Sequence, residues 1–501
     1  MTRSPTLWVD VDDLVQYLVH HSRPSGIQRV TFEICQALHR LDDGAGRVRF
    51  VRRGRGPTDI VTVGWDRLAA AFRLISDPEA EPAATGAVMR PADPPAPEPA
   101  PRAALDAVGT DTRQILREGL VLQGRALLML ARLPLLAGAH VAGGLAARVR
   151  AHSLARTQAR QRAAMSDAQY GMLAGVSLKA LAAPGDSFVV LGSPWIHRDY
   201  VRTVRWARDE RRMRFALLVY DLVPLRRPEW CDRGIINSFV DWHKSVLPLA
   251  DQIFAISRAT AADVTAWAGE LGMALHNPVR AVPMGTGLNH GRGDAAPAAH
   301  LPPPGSYVLF VSTIEARKNH ALLLRVWRRL LAELPHAQVP TLVFAGRVGW
   351  LVADLMQQLD NAGWLDGKIR LVRDPTDAEL VALYRDCRFT LFPSLFEGWG
   401  LPVSESLALG RPCIASDRTS LPEAGGELAR YFDPENLDDA CRTIRAVIED
   451  PAGLEAWRAQ VAREFRHVPW EDSAAIIRRT LGALDTRRPV DPPVVAPLEF
   501  H

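Results

Sequence analysis

The sequence predicts an α/β protein built from two doubly wound lobes that face a central cleft. Short apolar strands alternate with amphipathic helices through most of the chain, which is typical of βαβ units and parallel sheets. At 501 residues the chain is too long for one ordinary hydrophobic core. A Pro/Gly/Ala-rich break at 285–305 separates two alternating series. We therefore expect two lobes hinged near 290–305, with ligands bound beyond the carboxyl ends of their strands.

The first series predicts an N-terminal lobe over 1–290. It starts with the strand Thr6–Val11 and a helical run, Ile27–Leu38, that follows Ser25. Ser257 is the expected N-cap of a later helix. The other predicted elements are the strands Ser187–Leu191, Phe215–Val219 and Gln252–Ile256 and the helices Ile235–Leu249 and Arg258–Ala268.

The second series predicts a C-terminal lobe over 305–470, followed at 471–501 by a helix and tail that could return to the N-terminal lobe. The predicted strands are Tyr307–Ser312, Pro340–Ala345, Lys368–Val372 and Phe389–Phe392. The predicted helices are His320–Leu334, Leu351–Ala362 and Asp377–Arg385.

Composition excludes several classes of protein. With 48% hydrophobic and 23% charged residues the chain is globular, and a net charge of +4 gives no electrostatic reason to expect nucleic acid as a partner. Five widely spaced cysteines without a CxxC pair predict neither a disulfide framework nor a structural zinc site. No GxGxxG fingerprint follows the first strand, which argues against a dehydrogenase.

Residues 77–170 interrupt the N-terminal lobe. Residues 77–112 are rich in Pro and Ala and predict a linker, and residues 113–170 predict an insertion of arginine-studded helices. Basic amphipathic helices at 113–162 could lie peripherally on an anionic membrane. These helices could equally cover the N-terminal lobe or pair with another copy of the chain. This interior-packing interpretation is slightly favoured over the membrane.

The sequence also predicts the compartment. An N-terminal apolar run is broken at once by Asp10 and Asp12, so we expect no signal peptide and a cytoplasmic protein, with the inner face of the membrane as the alternative site. Arginines and Pro134 interrupt the longest apolar stretch, 120–149, so we expect no transmembrane helix.

The segment PSLFEGWGLPVSESLALGRPCIAS, residues 393–416, is the most informative one for function. Gly398 and Gly400 allow the backbone to come close to a ligand, and Pro402 suits the first position of a short helix, Pro402–Leu409. The free N–H groups of that helix would form an anion site. Glu405 is expected in its first turn, where the helix dipole favours a carboxylate.

Charged residues of both signs point to a nucleotide sugar. Two glutamates beside an anion site, Glu397 and Glu405, suit the hydroxyls of a sugar and a ribose, because carboxylates accept hydrogen bonds strongly. Taken alone, such a pair is more often solvated surface. Arg317 and Lys318 follow the first strand of the C-terminal lobe and could hold a diphosphate.

Glu397 and Glu405, with seven residues between them, resemble the E-x7-E signature of the family 4 retaining glycosyltransferases, the group 1 family of the GT-B fold. The RKN and GW stretches are especially similar to mannosyltransferase branches, and the resemblance covers about 187–480. The other similar stretches are STIEARKNH (312–320), FAGRVGW (344–350), SDRTSLPEAGG (416–426) and DPENLDDA (433–440).

The resemblance implies roles for individual residues. Glu397 would face the donor sugar and Glu405 the ribose, while Arg317 and Lys318 would hold the diphosphate. Backbone N–H groups of the glycine-containing loop would bind sugar hydroxyls, and the residues concerned there are Gly398, Gly400 and Leu401. Many members place an arginine shortly after the first strand of this lobe, where this chain has Thr313 or Ile314, and Arg317 could compensate.

The N-terminal lobe is less similar to the family. SGIQRV (25–30) resembles its glycine loop, which would place Gly26 and Arg29 at the acceptor side of the cleft. Asp221 in VYDLVPLRRPEW is a candidate catalytic residue or a brace of a turn, and Tyr220 stands where a histidine often precedes it. His197 could contact the acceptor or simply pack.

Asp10-Val11-Asp12 is the one pattern that suggests a metal. Metal-dependent glycosyltransferases use a DxD pair, and carboxylates suit Mn²⁺ or Mg²⁺. The pair ends the very first strand, before any nucleotide-binding unit is built, so we expect a solvated strand end and no metal.

Together these features predict a metal-independent retaining glycosyltransferase without a cofactor. It would move a hexose from a nucleotide diphosphate sugar, with GDP-mannose favoured, to a glycan or lipid-linked acceptor in cell-surface polysaccharide synthesis. The alternative is a non-catalytic nucleotide-sugar or carbohydrate-binding protein of the same fold, suggested by Tyr220 and the missing arginine.

Overall fold

The computed structural model of the chain describes residues 4–20, 25–76, 175–197, 199–286 and 300–484. The predicted linker 77–112, the insertion 113–170 and the tail beyond 484 lie outside the described residues, and so does the possible membrane contact at 113–162. None of the helices in the described ranges is long and apolar enough to cross a membrane.

The N-terminal lobe contains a seven-stranded sheet in the order β3-β2-β1-β4-β5-β6-β7. All neighbouring strands are parallel except β2 and β3, which form an antiparallel pair. The strands are β1 (Leu7–Asp10), β2 (Val48–Arg53), β3 (Ile60–Val63), β4 (Ser187–Val190), β5 (Arg214–Val219), β6 (Gln252–Ala255) and β7 (Arg280–Ala281). The α-helices are Asp12–His20, Gly26–Asp42, Trp65–Ser76, Leu178–Leu181, Tyr200–Arg205, Val223–Arg226, Arg233–Val246 and Arg258–Glu270.

The C-terminal lobe contains a six-stranded parallel sheet in the order β10-β9-β8-β11-β12-β13. The strands are β8 (Tyr307–Val311), β9 (Thr341–Ala345), β10 (Ile369–Val372), β11 (Thr390–Phe392), β12 (Cys413–Ser416) and β13 (Arg430–Phe432). The α-helices are His320–Glu333, Ala353–Asn361, Gly363–Asp366, Asp377–Asp386, Leu401–Ala408, Leu421–Gly425, Leu437–Glu449, Pro451–Glu464 and Trp470–Ala483.

The prediction of two doubly wound lobes is confirmed. Every strand and helix predicted within the described residues is present, with bounds shifted by a few residues. Ser257 is the N-cap that the sequence predicts, because its side chain accepts a hydrogen bond from the Thr260 N–H at 2.9 Å.

Each lobe is organised around a buried tryptophan. The indole N–H of Trp8 donates to Asp186 at 2.9 Å, and that of Trp327 donates to the carbonyl of Pro340 at 2.9 Å. Both side chains are fully buried, so these bonds satisfy polar groups that would otherwise be costly in an apolar core. Asp186 and Pro340 directly precede β4 and β9, so both bonds lie at the amino ends of strands, away from the carboxyl ends at the cleft.

The last helix, Trp470–Ala483, packs on the helix Gly26–Asp42 of the N-terminal lobe. Arg478 donates to the carbonyl of Leu41 at 2.6 Å, which ties the two helices together. Trp470 lies directly against Gly285, where an added Cβ would come within 2.2 Å of the indole ring. The chain thus crosses back to the first lobe after completing the second.

Candidate functional site

The two lobes line a cleft of about 880 Å³ at the carboxyl ends of their parallel strands, where the fold class predicts a ligand. All but one of the predicted site residues line it, and the exception is His197. Those lining the cleft are Gly26, Arg29, Asp221, Arg317, Lys318, Glu397, Gly398, Gly400, Leu401 and Glu405.

Glu397 lies between two cations in the C-terminal lobe. Its Oε1 accepts a hydrogen bond from Lys318 Nζ at 2.6 Å, and its Oε2 lies 2.8 Å from a guanidinium nitrogen of Arg317. The same nitrogen of Arg317 donates to the carbonyl of Phe396 at 2.7 Å. The loops after β8 and β11 are therefore joined through charged side chains.

This arrangement determines the protonation state of Glu397. Burial alone would raise its pKa, but Arg317 and Lys318 outweigh burial and lower the pKa to about 2. The carboxylate is therefore ionised at neutral pH. It can accept hydrogen bonds from hydroxyl groups, but it cannot serve as a general acid there.

The main chain of Glu397 is held by the segment after β12. Thr419 Oγ1 accepts from the Glu397 N–H at 3.0 Å and lies 3.0 Å from its carbonyl oxygen, and Ser420 Oγ donates to that oxygen at 2.9 Å. Sequence reasoning noted the stretch 416–426 as a resemblance but gave these hydroxyls no role. Nothing in a Thr-Ser pair by itself indicates such a contact.

Glu405 has a different environment. Tyr384 donates its phenolic hydrogen to Glu405 Oε2 at 2.9 Å, and Arg29 of the N-terminal lobe lies 3.6 Å from Oε1. Burial raises the pKa of Glu405 despite these two partners. The two glutamates of the motif therefore differ in electrostatics: one is held by two close cations, the other by a phenol and a more distant arginine.

The expected place of Glu405 in the first helical turn is wrong. The helix begins at Leu401, so Pro402 is its second residue and Glu405 its fifth. The stabilising groups are consequently Tyr384 and Arg29, rather than the helix dipole. The N–H of Leu401 remains at the helix N-terminus without a partner within the helix, whereas Pro402 has no N–H and the Val403 N–H donates to the carbonyl of Gly400 at 2.9 Å.

Arg29 joins the two lobes. Besides Glu405 it contacts Asp377 of the C-terminal lobe, whose Oδ1 lies 2.9 Å from its guanidinium. Burial opposes charge here, but Asp377 and Glu405 raise the pKa of Arg29. The sequence placed Arg29 at the acceptor side of the cleft and could not show that it also closes on the opposite lobe.

Two glycines of the motif are required by close contacts. A Cβ on Gly398 would come within 2.0 Å of the carbonyl oxygen of Tyr220 in the other lobe. Gly400 has a φ of 105°, and a Cβ there would lie 2.5 Å from Leu421. Gly26, in turn, faces Leu401 across the cleft. A larger residue at Gly398 or Gly400 would force the lobes or the loop apart, whereas the 3.8 Å at Gly26 is ordinary van der Waals contact.

Asp221 lies near the charged cluster on the N-terminal side. Its Oδ1 accepts from the Val223 N–H at 3.0 Å, so it does brace a turn. Burial raises its pKa, which Arg317 partly offsets. Tyr220, in the place of the histidine, directs its hydroxyl away toward Leu191 O at 2.7 Å and Thr31 at 2.7 Å.

Thr313 occupies the cleft wall where the family often has an arginine. The exposed side chain of Arg347, on the loop after β9, lines the same part of the cleft. It is close enough to Glu315 to lower the pKa of that carboxyl, although burial raises it overall. The C-terminal side of the cleft therefore holds a third cation besides Arg317 and Lys318, which sequence reasoning missed because it lies outside the RKN stretch.

His197 contacts the acidic end of β1 rather than the cleft. Its Nε2 lies 3.2 Å from Asp12 Oδ2 and 3.1 Å from Gln16 Nε2. The expectation that Asp10 and Asp12 form a solvated strand end is wrong, because both side chains are almost fully buried. Asp10 accepts hydrogen bonds from the Tyr200 hydroxyl and from the Asp12 N–H.

The acidic end of β1 predicts a pH dependence of stability. Burial, reinforced by Asp12, raises the pKa of Asp10 from 3.8 to about 7, and burial raises that of Asp13 to about 6. Between the ordinary pKa of 3.8 and these raised values, the folded state binds more protons than the unfolded state. The free energy of unfolding should therefore fall as the pH rises from 4 to 7. Replacing Asp10→Asn should flatten this slope by up to about 1.4 kcal/mol per pH unit.

The measurement is urea unfolding at several pH values from 4.5 to 7.5. Asp209→Asn, at an exposed position of the same lobe, is the matched control and should leave the slope unchanged. An Asp10→Asn slope equal to that of the unaltered protein would contradict the assignment.

Arg29 predicts a second measurable effect. Replacing Arg29→Met leaves Asp377 and Glu405 buried without their shared cation, and breaking a buried ion pair on one side typically costs about 3–5 kcal/mol. The lobes should open to hydrate these carboxylates. Small-angle X-ray scattering without ligand should then show a larger radius of gyration, whereas Arg47→Met, at an exposed pair, should not. An unchanged radius in Arg29→Met would show that Arg29 does not hold the cleft closed.

Comparison with known proteins agrees with this geometry. Residues 296–464 match the family model for glycosyl transferases group 1. The chain is 31% identical over 276 residues to the serotype-specific mannosyltransferase WbdA of Escherichia coli, covering 53% of this chain and 33% of that protein. It is 32% identical over 166 residues to O-antigen chain mannosyltransferase B of Escherichia coli, covering 33% and 43%.

The chain therefore spans less than half the length of either relative. Among solved structures, HepE of Anabaena in complex with UDP is similar with a TM-score of 0.44 and 16% identity, over 60% of this chain and 79% of that one. The family match covers β8 to β13 and every charged residue of the C-terminal side of the cleft. The family model that residues 296–464 match is thus the one that the E-x7-E stretch resembles.

Proposed function

We propose that the protein is a retaining, metal-independent glycosyltransferase that moves a hexose from a nucleoside diphosphate sugar to a glycan or lipid-linked saccharide. Mannose from GDP-mannose is the favoured donor, because both curated relatives are named as mannosyltransferases. Cell-surface polysaccharide synthesis at the inner face of the membrane is the setting that we propose. The observation that carries the proposal is Glu397 held between Arg317 and Lys318 at the cleft.

The charges of the cleft suit a diphosphate. Arg317 and Lys318 are offset by Glu397 and Glu315, so a diphosphate needs further positive charge. The exposed guanidinium of Arg347 and the N–H of Leu401 at the helix N-terminus offer it. Donor binding would bring the phosphates to these groups and the sugar hydroxyls to Glu397.

The transfer step follows from these positions. The acceptor hydroxyl oxygen forms a bond to the anomeric carbon, and the bond from that carbon to the phosphate oxygen breaks with its electron pair on the phosphate. The acceptor proton passes to the departing phosphate on the same face. Lys318 and the helix N-terminus stabilise the charge on the leaving diphosphate. Glu397 orients the sugar, and Asp221, opposite it, accepts a hydrogen bond from the acceptor or donor sugar.

Closure of the lobes would complete the site and exclude water. Arg29 lies 3.6 Å from Glu405, the carboxylate proposed for the ribose. The ribose hydroxyls would therefore share Glu405 with Arg29 or displace it toward Asp377, which already accepts from the same guanidinium at 2.9 Å. Such an exchange keeps the charge of Arg29 paired throughout.

The proposed division between the two glutamates can be tested by nucleotide binding. Glu405→Ala should weaken binding of both GDP and GDP-mannose, since a lost charged hydrogen bond costs about 1.5–3 kcal/mol. That corresponds to roughly 10- to 150-fold in Kd. Glu397→Ala should spare GDP and lower turnover, because its carboxylate faces the sugar.

Calorimetry and thermal shift with a panel of nucleoside diphosphates and their sugars supply the measurement, since a ligand of the folded state raises the melting temperature. Glu427→Ala, an exposed glutamate of the same lobe, is the control. Equal losses in both cleft variants for both ligands would reject the division of roles. Failure of every nucleotide to bind the unaltered protein would reject the function itself.

The metal-free mechanism predicts that transfer survives excess EDTA. Lys318 and the N–H of Leu401 would stabilise the charge of the leaving diphosphate, which is the task of a divalent cation in metal-dependent enzymes. Activity is measured with and without chelator after dialysis. Full inactivation that Mn²⁺ reverses would overturn the mechanism and return Asp10 and Asp12 to consideration as ligands.

A non-catalytic binding protein is the competing proposal. It shares the nucleotide pocket, so binding alone does not distinguish the two. Slow hydrolysis of the donor in the absence of acceptor is expected only of an active transferase.

A further inference from the structure

Exposed apolar side chains are concentrated at one place in the described residues. Among the described residues, five large hydrophobic side chains are exposed by more than a third of their surface. Three of these five lie on one loop after β9. These three are Val348, Trp350 and Leu351, with exposed fractions of 36%, 48% and 58%. An apolar cluster of this kind on a soluble surface commonly marks a contact site.

The loop is held in a fixed conformation. Gly349 donates to the carbonyl of Ile314 at 2.9 Å, and Ile314 donates to that of Arg347 at 2.8 Å. A Cβ on Gly349 would lie 2.8 Å from Thr313, so the loop lies tightly against the segment after β8. Leu351 has a φ of 56°, which is unfavourable for a branched side chain. Trp350 is therefore exposed by a specific backbone conformation.

Trp350 meets a second tryptophan from the other lobe. Its indole N–H donates to the carbonyl of Trp230 at 3.2 Å, and both residues line the mouth of the cleft. The Arg227 guanidinium lies 4.0 Å from the centre of the Trp230 ring and pairs with Glu229 at 2.6 Å. Two tryptophan side chains thus lie at the mouth, and Arg227, whose charge is offset by Glu229, covers one face of the Trp230 ring.

We propose that Trp230 and Trp350 form a binding platform for an uncharged oligosaccharide portion of the acceptor, at least one sugar ring away from the reacting hydroxyl. This inference rests on the proposed function and adds the class and place of the acceptor chain. A sugar ring has an apolar C–H face that packs on an indole and hydroxyls at its edge that bond to Arg227 and Glu229. Because the charges of Arg227 and Glu229 offset each other, this pair favours a ligand without net charge.

A membrane or a lipid chain fits this place less well. The apolar area is small, and insertion into hydrocarbon would remove water from the Arg227–Glu229 pair at a large cost. A glycan that extends outward from the reaction centre near Asp221 would cross the mouth between the lobes. Trp230 belongs to one lobe and Trp350 to the other. The platform would therefore form fully only when the lobes are closed.

The experiment compares acceptor length in the full chain. The probes are α-linked mannose oligosaccharides of one to four residues with GDP-mannose as donor, and direct binding is followed by saturation-transfer NMR with and without GDP. KM should fall with length in the unaltered protein, by about tenfold from one to four residues, which is 1.4 kcal/mol. Trp350→Ala should abolish this fall while keeping kcat and the Kd for GDP within about twofold.

Two further variants separate packing from a general loss of structure. Trp350→Phe keeps an aromatic face and should retain most of the length dependence. Leu271→Ala removes another exposed apolar side chain, outside the cleft lining, and should change nothing.

The alternative outcomes are distinct. An unchanged length dependence in Trp350→Ala overturns the platform, and so does an equal loss of GDP affinity, which would place Trp350 at the donor. Binding to uncharged phosphatidylcholine vesicles that Trp350→Ala abolishes, without any oligosaccharide signal, would assign the loop to lipid instead. If the unaltered protein binds no nucleotide, the proposed function fails. The NMR measurement without GDP then decides the platform separately: no Trp350-dependent oligosaccharide signal rejects it.

Discussion

The ion cluster of Glu397, Arg317 and Lys318 is the constraint on which the site depends. Glu397 lies 2.8 Å from Arg317 and 2.6 Å from Lys318, so removal of either cation would leave a buried carboxylate with less compensation. The cluster joins the loops after β8 and β11, and the hydroxyls after β12 hold its main chain. The loops that follow three adjacent strands are thereby connected at the carboxyl end of the sheet. A ligand that enters meets charges already in place, which is the condition for electrostatic catalysis without reorganisation.

The lobes contact each other at glycines, which have no side chain to hold the two lobes apart. Gly398 lies on the main chain of Tyr220, and Gly26 faces Leu401. At Gly398 backbone comes close to backbone, and two arginines reach across: Arg29 to Asp377 and Glu405, and Arg258 to Glu423 at 3.2 Å. The ion cluster of Glu397, Arg317 and Lys318 lies within one lobe, so separation of the lobes would not break its contacts. Opening would disrupt the pairs of Arg29 and Arg258 instead.

Sequence patterns predicted the parallel sheets well because buried strands between amphipathic helices carry an unambiguous signal. The strands β2, β3, β7, β12 and β13 were not predicted. They are two to six residues long, and β2, β7 and β13 contain arginines, so their apolar pattern is short or interrupted. The motif around Glu397 and Glu405 was located correctly. The partners of Glu405 were missed because Tyr384 and Arg29 lie far away in sequence, and the burial of Asp10 was missed because it depends on Tyr200 covering the strand end.

The chemistry of the cleft is divided between its two sides. The C-terminal side supplies cations and carboxylates, whose geometry is set by short charged contacts and therefore tolerates little variation in the ligand. The mouth supplies indole faces, and Trp195 and Phe239 add apolar surface on the N-terminal wall. Apolar packing is less directional than charged hydrogen bonding, because it depends on area more than on angle. A transferase built in this way would hold one donor strictly and accept a chain that grows in length, since each added ring presents the same kind of face to the same tryptophans.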